Sequence, residues 1–314
     1  MIPNALAFTA PERRPAPRRP PPALPAPASG RLVLFATDLT AAPPAAVAML
    51  RQLSRSGPLV VDVLHVAPSA GAAAAAEPAL REVLADLHDV PVRRRIVVDA
   101  DVPAALRRAG DPSRYHLLMA PAAAATPVWR RSRRAAIVGA GAVPVWTIGD
   151  TASAGRATAI RRVACAVTLE ARGDRHLPFA RQLAARLGAR LVVVHVVPPI
   201  DDATIADGPA ATRPLHPDVA RGQLLALLGD APVEIAIGTG PRAGTLRRLL
   251  ETTRADLLCA PASDAAGPWR LAAHLRRAPC PVVCAGPHAH RAWRDGYALG
   301  TSLRMRPLAL SVST

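Results

Sequence analysis

RRVACAVTLEARGDRHLPFARQLAARLGARLVVVHVV, residues 161–197, decides the fold. Two short apolar runs, RRVACAV (161–167) and ARLVVVHVV (189–197), flank a stretch over 174–187 in which apolar residues recur with helical period. The runs are apolar at nearly every position rather than at every second one. Strands of that kind are buried on both faces, as in parallel sheets covered by helices. The segment therefore reads as a β-α-β unit.

The same alternation continues downstream. A helix over 217–229 is followed by VEIAIG (233–238), a helix over 242–254, DLLCAP (256–261), a helix over 268–277 and PVVCAG (281–286). It also runs upstream, from RLVLFATDL (31–39) through a helix over 44–56, PLVVDVLHV (58–66), a helix over 74–88, VRRRIVV (92–98) and a helix over 102–110. YHLLMAP (115–121), a helix beginning near Pro127 and VPVWTIG (143–149) complete that series. Each half has five strands and four helices, and details recur in the same order: LHV at 64–66 and VHV at 194–196, LLMAP at 117–121 and LLCAP at 257–261, Trp129-Arg130 and Trp269-Arg270. The chain is an internal repeat. Its organisation reads as a disordered Pro/Arg-rich arm (1–30), a first domain (31–149), a small polar linker (150–160), a second domain (161–286) and a tail (287–314).

Composition agrees. A chain of 314 residues, 50% hydrophobic, can bury two cores. With 3% aromatic residues those cores must be built from Ala, Val, Leu and Ile. Four scattered cysteines, none in a C-x-x-C pair, make no disulfide framework; Cys280 and Cys284, on one strand, would stand roughly 13 Å apart. No apolar stretch approaches the roughly 18 residues of a membrane span, and the basic residues of the N-terminus follow its short apolar run, the reverse of a secretory signal. These features predict a cytoplasmic protein with no membrane association.

The net charge of +16 is carried by arginine alone, because the chain has no lysine. Arginine clusters permit salt-dependent association with a polyanion, yet they are not interleaved with stacking aromatics, so specific nucleic-acid binding is not expected. The absence of lysine excludes a Walker A loop and a Schiff base, and there is no G-x-S-x-G elbow. His288 and His290 form an H-x-H without an obvious third ligand, so no metal site is expected. Gly238-Thr239-Gly240 with Gly244 has the wrong spacing for a dinucleotide loop and reads as a tight strand-to-helix turn. His65 and His195, near the ends of apolar strands, read as packed, hydrogen-bonded histidines.

A strand ending in Asp, a second strand ending in His-Val, Gly-Thr-Gly after the third, ADLLCAP (255–261) and RRAPCPVVCAG (276–286) together resemble the universal stress protein family, most strongly over 161–286. The resemblance implies two tandem open parallel five-stranded α/β sheets of order 3-2-1-4-5, Rossmann-like, with a ligand crevice at the carboxyl ends of strands 1 and 4 of each repeat. It implies a stress-response protein. Nucleotide-binding members place an Asp at the end of strand 1 and a Gly-x2-Gly-x9-Gly-Ser/Thr loop after strand 4, where glycine lets the backbone approach and a helix N-terminus offers N–H groups to phosphate.

Both repeats depart from that pattern. The first keeps the aspartate as Asp38 but has Pro121 and Ala124 for the first two glycines; the second has Thr168 for the aspartate and Pro261 and Asp264 for the glycines. Proline lacks the N–H donor, and Asp264 sets negative charge beside a phosphate. The expectation is therefore a non-catalytic regulatory protein with no cofactor, whose repeats form an intramolecular pseudo-dimer through VPVWTIG and CPVVCAG; the resemblance also allows homo-oligomers. An ATP- or AMP-binding sensor, or slow ATPase, is the alternative. It would use the first crevice, with Asp38, Ala122 and Ala124 as contacts and Arg130 as phosphate partner. Asp38 has a second reading as an N-cap of the following helix. A basic module that associates with polyanions is a third alternative.

Overall fold

The computed structural model describes residues 31–39, 44–120, 143–147, 159–169, 176–197, 216–262 and 278–286. The first half comprises β1 (Arg31–Thr37), α1 (Pro44–Arg55), β2 (Leu59–Ala67), α2 (Ala70–Ala85), β3 (Val92–Val98), α3 (Val102–Ala109), β4 (Leu117–Met119) and β5 (Val145–Thr147). The second comprises β6 (Arg162–Val167), α4 (Leu177–Leu187), β7 (Arg190–Val197), α5 (Pro217–Leu228), β8 (Glu234–Thr239), α6 (Arg242–Thr252), β9 (Leu257–Pro261) and β10 (Val282–Ala285).

The order β3-β2-β1-β4-β5 in the first half is repeated as β8-β7-β6-β9-β10 in the second, and within each half all pairs are parallel. This is the 3-2-1-4-5 order expected of both repeats. The two five-stranded sheets are joined edge to edge, because β5 and β10 pair antiparallel and make one ten-stranded sheet. In that pairing Trp146 faces Val283, and these two residues occupy the same position of their repeats, next to Met119 and Cys259 on the neighbouring strands. The join is thus a self-complementary contact, as two-fold symmetry requires.

The helices form where apolar residues share a face. In α1 Ala45, Ala46, Met49, Leu50 and Leu53 are buried, and in α4 Leu177, Ala180, Leu183, Ala184 and Leu187. α4 stops at Gly188, in the left-handed region at φ 59°, where the Ala189 N–H donates back to the Ala184 carbonyl at 2.9 Å. α2 begins at Ala70, four residues earlier than its periodicity predicts, because the Ser69 hydroxyl accepts from the Ala72 N–H at 3.2 Å and caps it. The helices expected from Pro127 and over 268–277 lie outside the described residues.

One buried cluster takes residues from both halves, including Phe35, Met49, Leu50, Met119, Trp146, Cys165, Phe179 and Val283, and lies under α1 and α4. Across it Gln52 of α1 grips the backbone of the second half. Its Nε2 donates to the Ile160 carbonyl at 2.8 Å and to the Leu187 carbonyl, while its Oε1 accepts from the Ile160 N–H at 2.9 Å. One side chain thereby fixes the start of β6 and the end of α4 against α1.

Candidate functional site

In an open parallel sheet the ligand crevice lies beyond the carboxyl ends of the strands. There β1 ends at Thr37, which is 6% exposed, and Asp38 follows, half-buried. The Thr37 hydroxyl accepts from the Leu39 N–H at 3.0 Å, and Leu39 has φ 70°. His65, paired in register with Thr37, places Nδ1 at 3.1 Å from the Thr37 carbonyl, so Nδ1 carries the proton and donates.

The second half repeats this frame 130 positions on. His195, paired with Val167, places Nδ1 at 2.8 Å from the Val167 carbonyl, and Leu169 has φ 59°. His195 is 4% exposed. A branched side chain at positive φ costs about 1–3 kcal/mol and persists where its surroundings impose it. Its occurrence at equivalent residues of both halves marks the turn after the first strand as the constrained part of each crevice. Nothing in the sequence signals it, since leucine carries no preference for the left-handed region. The histidines are packed and hydrogen-bonded, as read from the sequence; their role is to hold the carbonyl that ends the first strand. His176 adds a contact particular to the second half, with Nε2 at 2.8 Å from the Ala166 carbonyl.

Between Asp38 and α1, which is described from Pro44, residues 40–43 lie outside the described residues. In the second half Thr168 stands, half-buried, where Asp38 stands in the first. β9 ends in Pro261, which has no N–H, and the next N–H, of Ala262, donates to the Ala285 carbonyl of β10 at 3.0 Å. Two successive backbone positions that would face a phosphate are therefore without a free donor. Ala122, Ala124, Arg130 and Asp264 lie outside the described residues, as do Trp129, Trp269, His288 and His290.

The Gly-Thr-Gly segment is a turn. Gly240, at φ 124°, donates its N–H to the Val197 carbonyl at 3.1 Å, and a Cβ at Gly238 would stand 2.6 Å from Thr245 Cγ2. The glycines let β8 pass close against α6. Cys165, Cys259, Cys280 and Cys284 are all buried thiols; burial pushes Cys280 and Cys284 up to about 12 and Cys259 higher, which keeps these three protonated at neutral pH. Among the described residues no group of three or more His, Cys, Asp or Glu is arranged to hold a metal, and no helix is long and apolar enough to cross a membrane.

Residues 159–285 match the model of the universal stress protein family. This half is a universal stress protein domain. Solved structures extend the likeness of fold across both halves. A universal stress protein from Archaeoglobus fulgidus DSM 4304 superposes with a TM-score of 0.60 at 17% identity, covering 81% of this chain and 96% of its own. A functionally unknown protein from Pseudomonas aeruginosa PAO1 superposes with a TM-score of 0.57 at 14% identity, covering 86% and 97%. No curated protein matches the chain. At these identities the likeness is one of fold, and the first half shares with the universal stress protein domain its strand order, its register and its histidine-held turn.

Proposed function

We propose that this is a tandem universal stress protein of the cytoplasm that acts in regulation without catalysis and without strong ATP binding. Its domains are 31–149 and 161–286, the linker is 150–160, and the β5–β10 contact works as an intramolecular pseudo-dimer. The observation that carries the reading is the end of β9. Pro261 removes one donor and the bond from Ala262 to Ala285 consumes the next, so the second crevice keeps its frame without its phosphate cradle. Thr168 removes the carboxylate as well.

A second reading rests on Asp38, half-buried beside the constrained Leu39 at the mouth of the first crevice. There an adenine nucleotide such as ATP or AMP would bind, with Ala122, Ala124 and Arg130 as its further contacts. Thermal unfolding with and without millimolar ATP, ADP or AMP and magnesium separates the two, because a ligand that binds only the folded chain must raise the melting temperature. The proposal expects no shift beyond about 1 °C. A shift of several degrees that disappears in Asp38→Ala would replace it with the nucleotide sensor.

A further inference from the structure

The exposed apolar surface of the molecule gathers on α5. Three of the four large hydrophobic side chains that stand exposed among the described residues belong to this one helix: Val219 at 53%, Leu225 at 54% and Leu227 at 41%. The helix buries only a narrow stripe, Ala220, Leu224 and Leu228, against β7 and β8. On one side of that stripe Val219, Gly222, Gln223, Ala226 and Leu227 share a face along the helix, and all five are exposed. None of them carries a charge, in a chain where 20% of residues do. The charged residues of the helix, Asp218 and Arg221, lie on the other side with Leu225.

A glycine inside a helix weakens it relative to alanine, and a Cβ at Gly222 would meet nothing within 4 Å. The chain's own packing gives no reason for this glycine; a second backbone passing close to it does. The corresponding helix of the first half, α2, buries Ala76 and Leu80 where α5 buries Ala220 and Leu224. By the same count it carries Pro78, Arg81 and Glu82 where α5 has Gly222, Leu225 and Ala226. α2 exposes no large hydrophobic residue among those described. The uncharged face is therefore no requirement of the fold. Its pattern is also self-complementary. Val219 and Leu227 each stand four residues from Gln223. A second α5 crossing antiparallel at Gln223 therefore sets Val219 against Leu227 twice, and the Gln223 amide, both donor and acceptor, meets its own copy. The ends match as well. His216 and Asp230, both exposed, each stand seven residues from Gln223. His216 Nδ1 accepts from the Asp218 N–H at 3.3 Å, which leaves Nε2 to donate to the Asp230 carboxylate of the second copy.

We infer that the Val219–Gln223–Leu227 face of α5 is the contact through which two copies of this chain associate, two-fold and antiparallel. β8, on which α5 lies, is the outermost strand of the sheet, four strands from β10. The contact is therefore separate from the β5–β10 join and brings four five-stranded sheets into one assembly. So few residues a side, against the roughly 20–30 of a standard stable interface, make the association weak and reversible, in the micromolar range.

The test is sedimentation velocity of the full chain between about 1 and about 200 µM, a range that brackets micromolar dissociation constants. Expected is a reversible equilibrium of monomer and dimer. Leu227→Arg should raise the dissociation constant at least about tenfold, while Leu225→Arg, on the other side of the helix, should leave it within about twofold. Gly222→Ala gives the sharpest readout. It should raise the melting temperature of the dilute chain, where its Cβ has room, and yet weaken the dimer at least about threefold. A chain that stays monomeric throughout the range, a dimer indifferent to Leu227→Arg or to Gly222→Ala, or one broken equally by Leu225→Arg would each overturn the contact. Dimerisation that appears only after residues 287–314 are removed would assign the face to the chain's own tail and overturn it as well. The equilibrium is read without nucleotide, so this proposal and the nucleotide reading can each fail alone.

Discussion

Behind the same backbone, the two halves are packed with different side chains. At the centre of the first sheet Phe35 on β1 pairs with Met119 on β4; at the same place in the second, Cys165 on β6 pairs with Cys259 on β9. The start of β1 is held by His116, whose Nδ1 accepts from the Leu32 N–H at 3.3 Å, whereas the start of β6 is held by Asp256, whose Oδ2 accepts from the N–H groups of Arg161 and Arg162 at 2.8 and 3.0 Å. Asp62 in the first half is replaced by Val192 in the second. What survives in both is the bond from a histidine to the carbonyl ending the first strand, and the positive φ that follows. The constraint on this fold therefore acts on the backbone near the crevice, and volume and charge in the core are free to drift as long as each layer stays filled.

The core exchange is the easiest comparison to break. Phe35→Ala should cost about 3–5 kcal/mol in urea unfolding, because a fully buried ring leaves a cavity, while Cys165→Ala removes a single atom and should cost about 1 kcal/mol. Equal costs would show that the two cores are packed to different densities.

A smaller contrast is expected at the contact between the halves. Gln52 and Gln182 follow Arg51 and Arg181 and precede Leu53 and Leu183, so they are the same residue of their repeats. Only Gln52 is bonded across the halves; Gln182 Oε1 has no partner among the described residues. Gln52→Ala, which leaves the Ile160 N–H and two carbonyls unanswered, should cost about 1–3 kcal/mol, against less than about 0.5 kcal/mol for Gln182→Ala.

The smallest effect concerns the turn before β4. Asp111 accepts from the N–H and the hydroxyl of Ser113 at 2.9 and 2.8 Å, and these bonds hold its carboxyl below the usual range. A lowered folded-state value stabilises the fold at pH values above the unfolded value of about 3.9, and the contribution is lost as pH falls through the folded value. Asp111→Asn should therefore lower stability slightly near neutral pH and flatten its fall below about pH 4. Exposure limits the difference to under about 0.5 kcal/mol. Chemical denaturation at pH 7 and pH 3.5 would measure it, and an unchanged acid slope would assign the turn to Ser113 alone.

The strands were legible because continuous apolar runs such as LVVVHVV admit few other structures, and the repeat was legible because LLMAP and LLCAP close the same strand in both halves. Helix ends were less so: α2 starts where Ser69 caps it, and periodicity does not register a cap. At the site, the departures at Thr168 and Pro261 could be read directly, but the use of the Ala262 N–H by Ala285 and the positive φ of Leu39 and Leu169 could not. Asp38 looked like a helix cap because a carboxylate between a strand and a helix often is one. Residues 40–43, between it and α1, lie outside the described residues.

The sequence alone determined the class of fold and the duplication, because these follow from local periodicity and from patterns repeated along the chain; the strand order within each half was implied by the resemblance to the universal stress protein family. Only the tertiary structure decided that β5 and β10, in the segments the resemblance pointed to, pair antiparallel into one ten-stranded sheet, that Gln52 ties the halves together, and that Asp62 and Arg93 are register partners with polar atoms unmatched among the described residues. These contacts join residues far apart in the chain, and their geometry depends on register and rotamer, which no local pattern of hydrophobicity encodes.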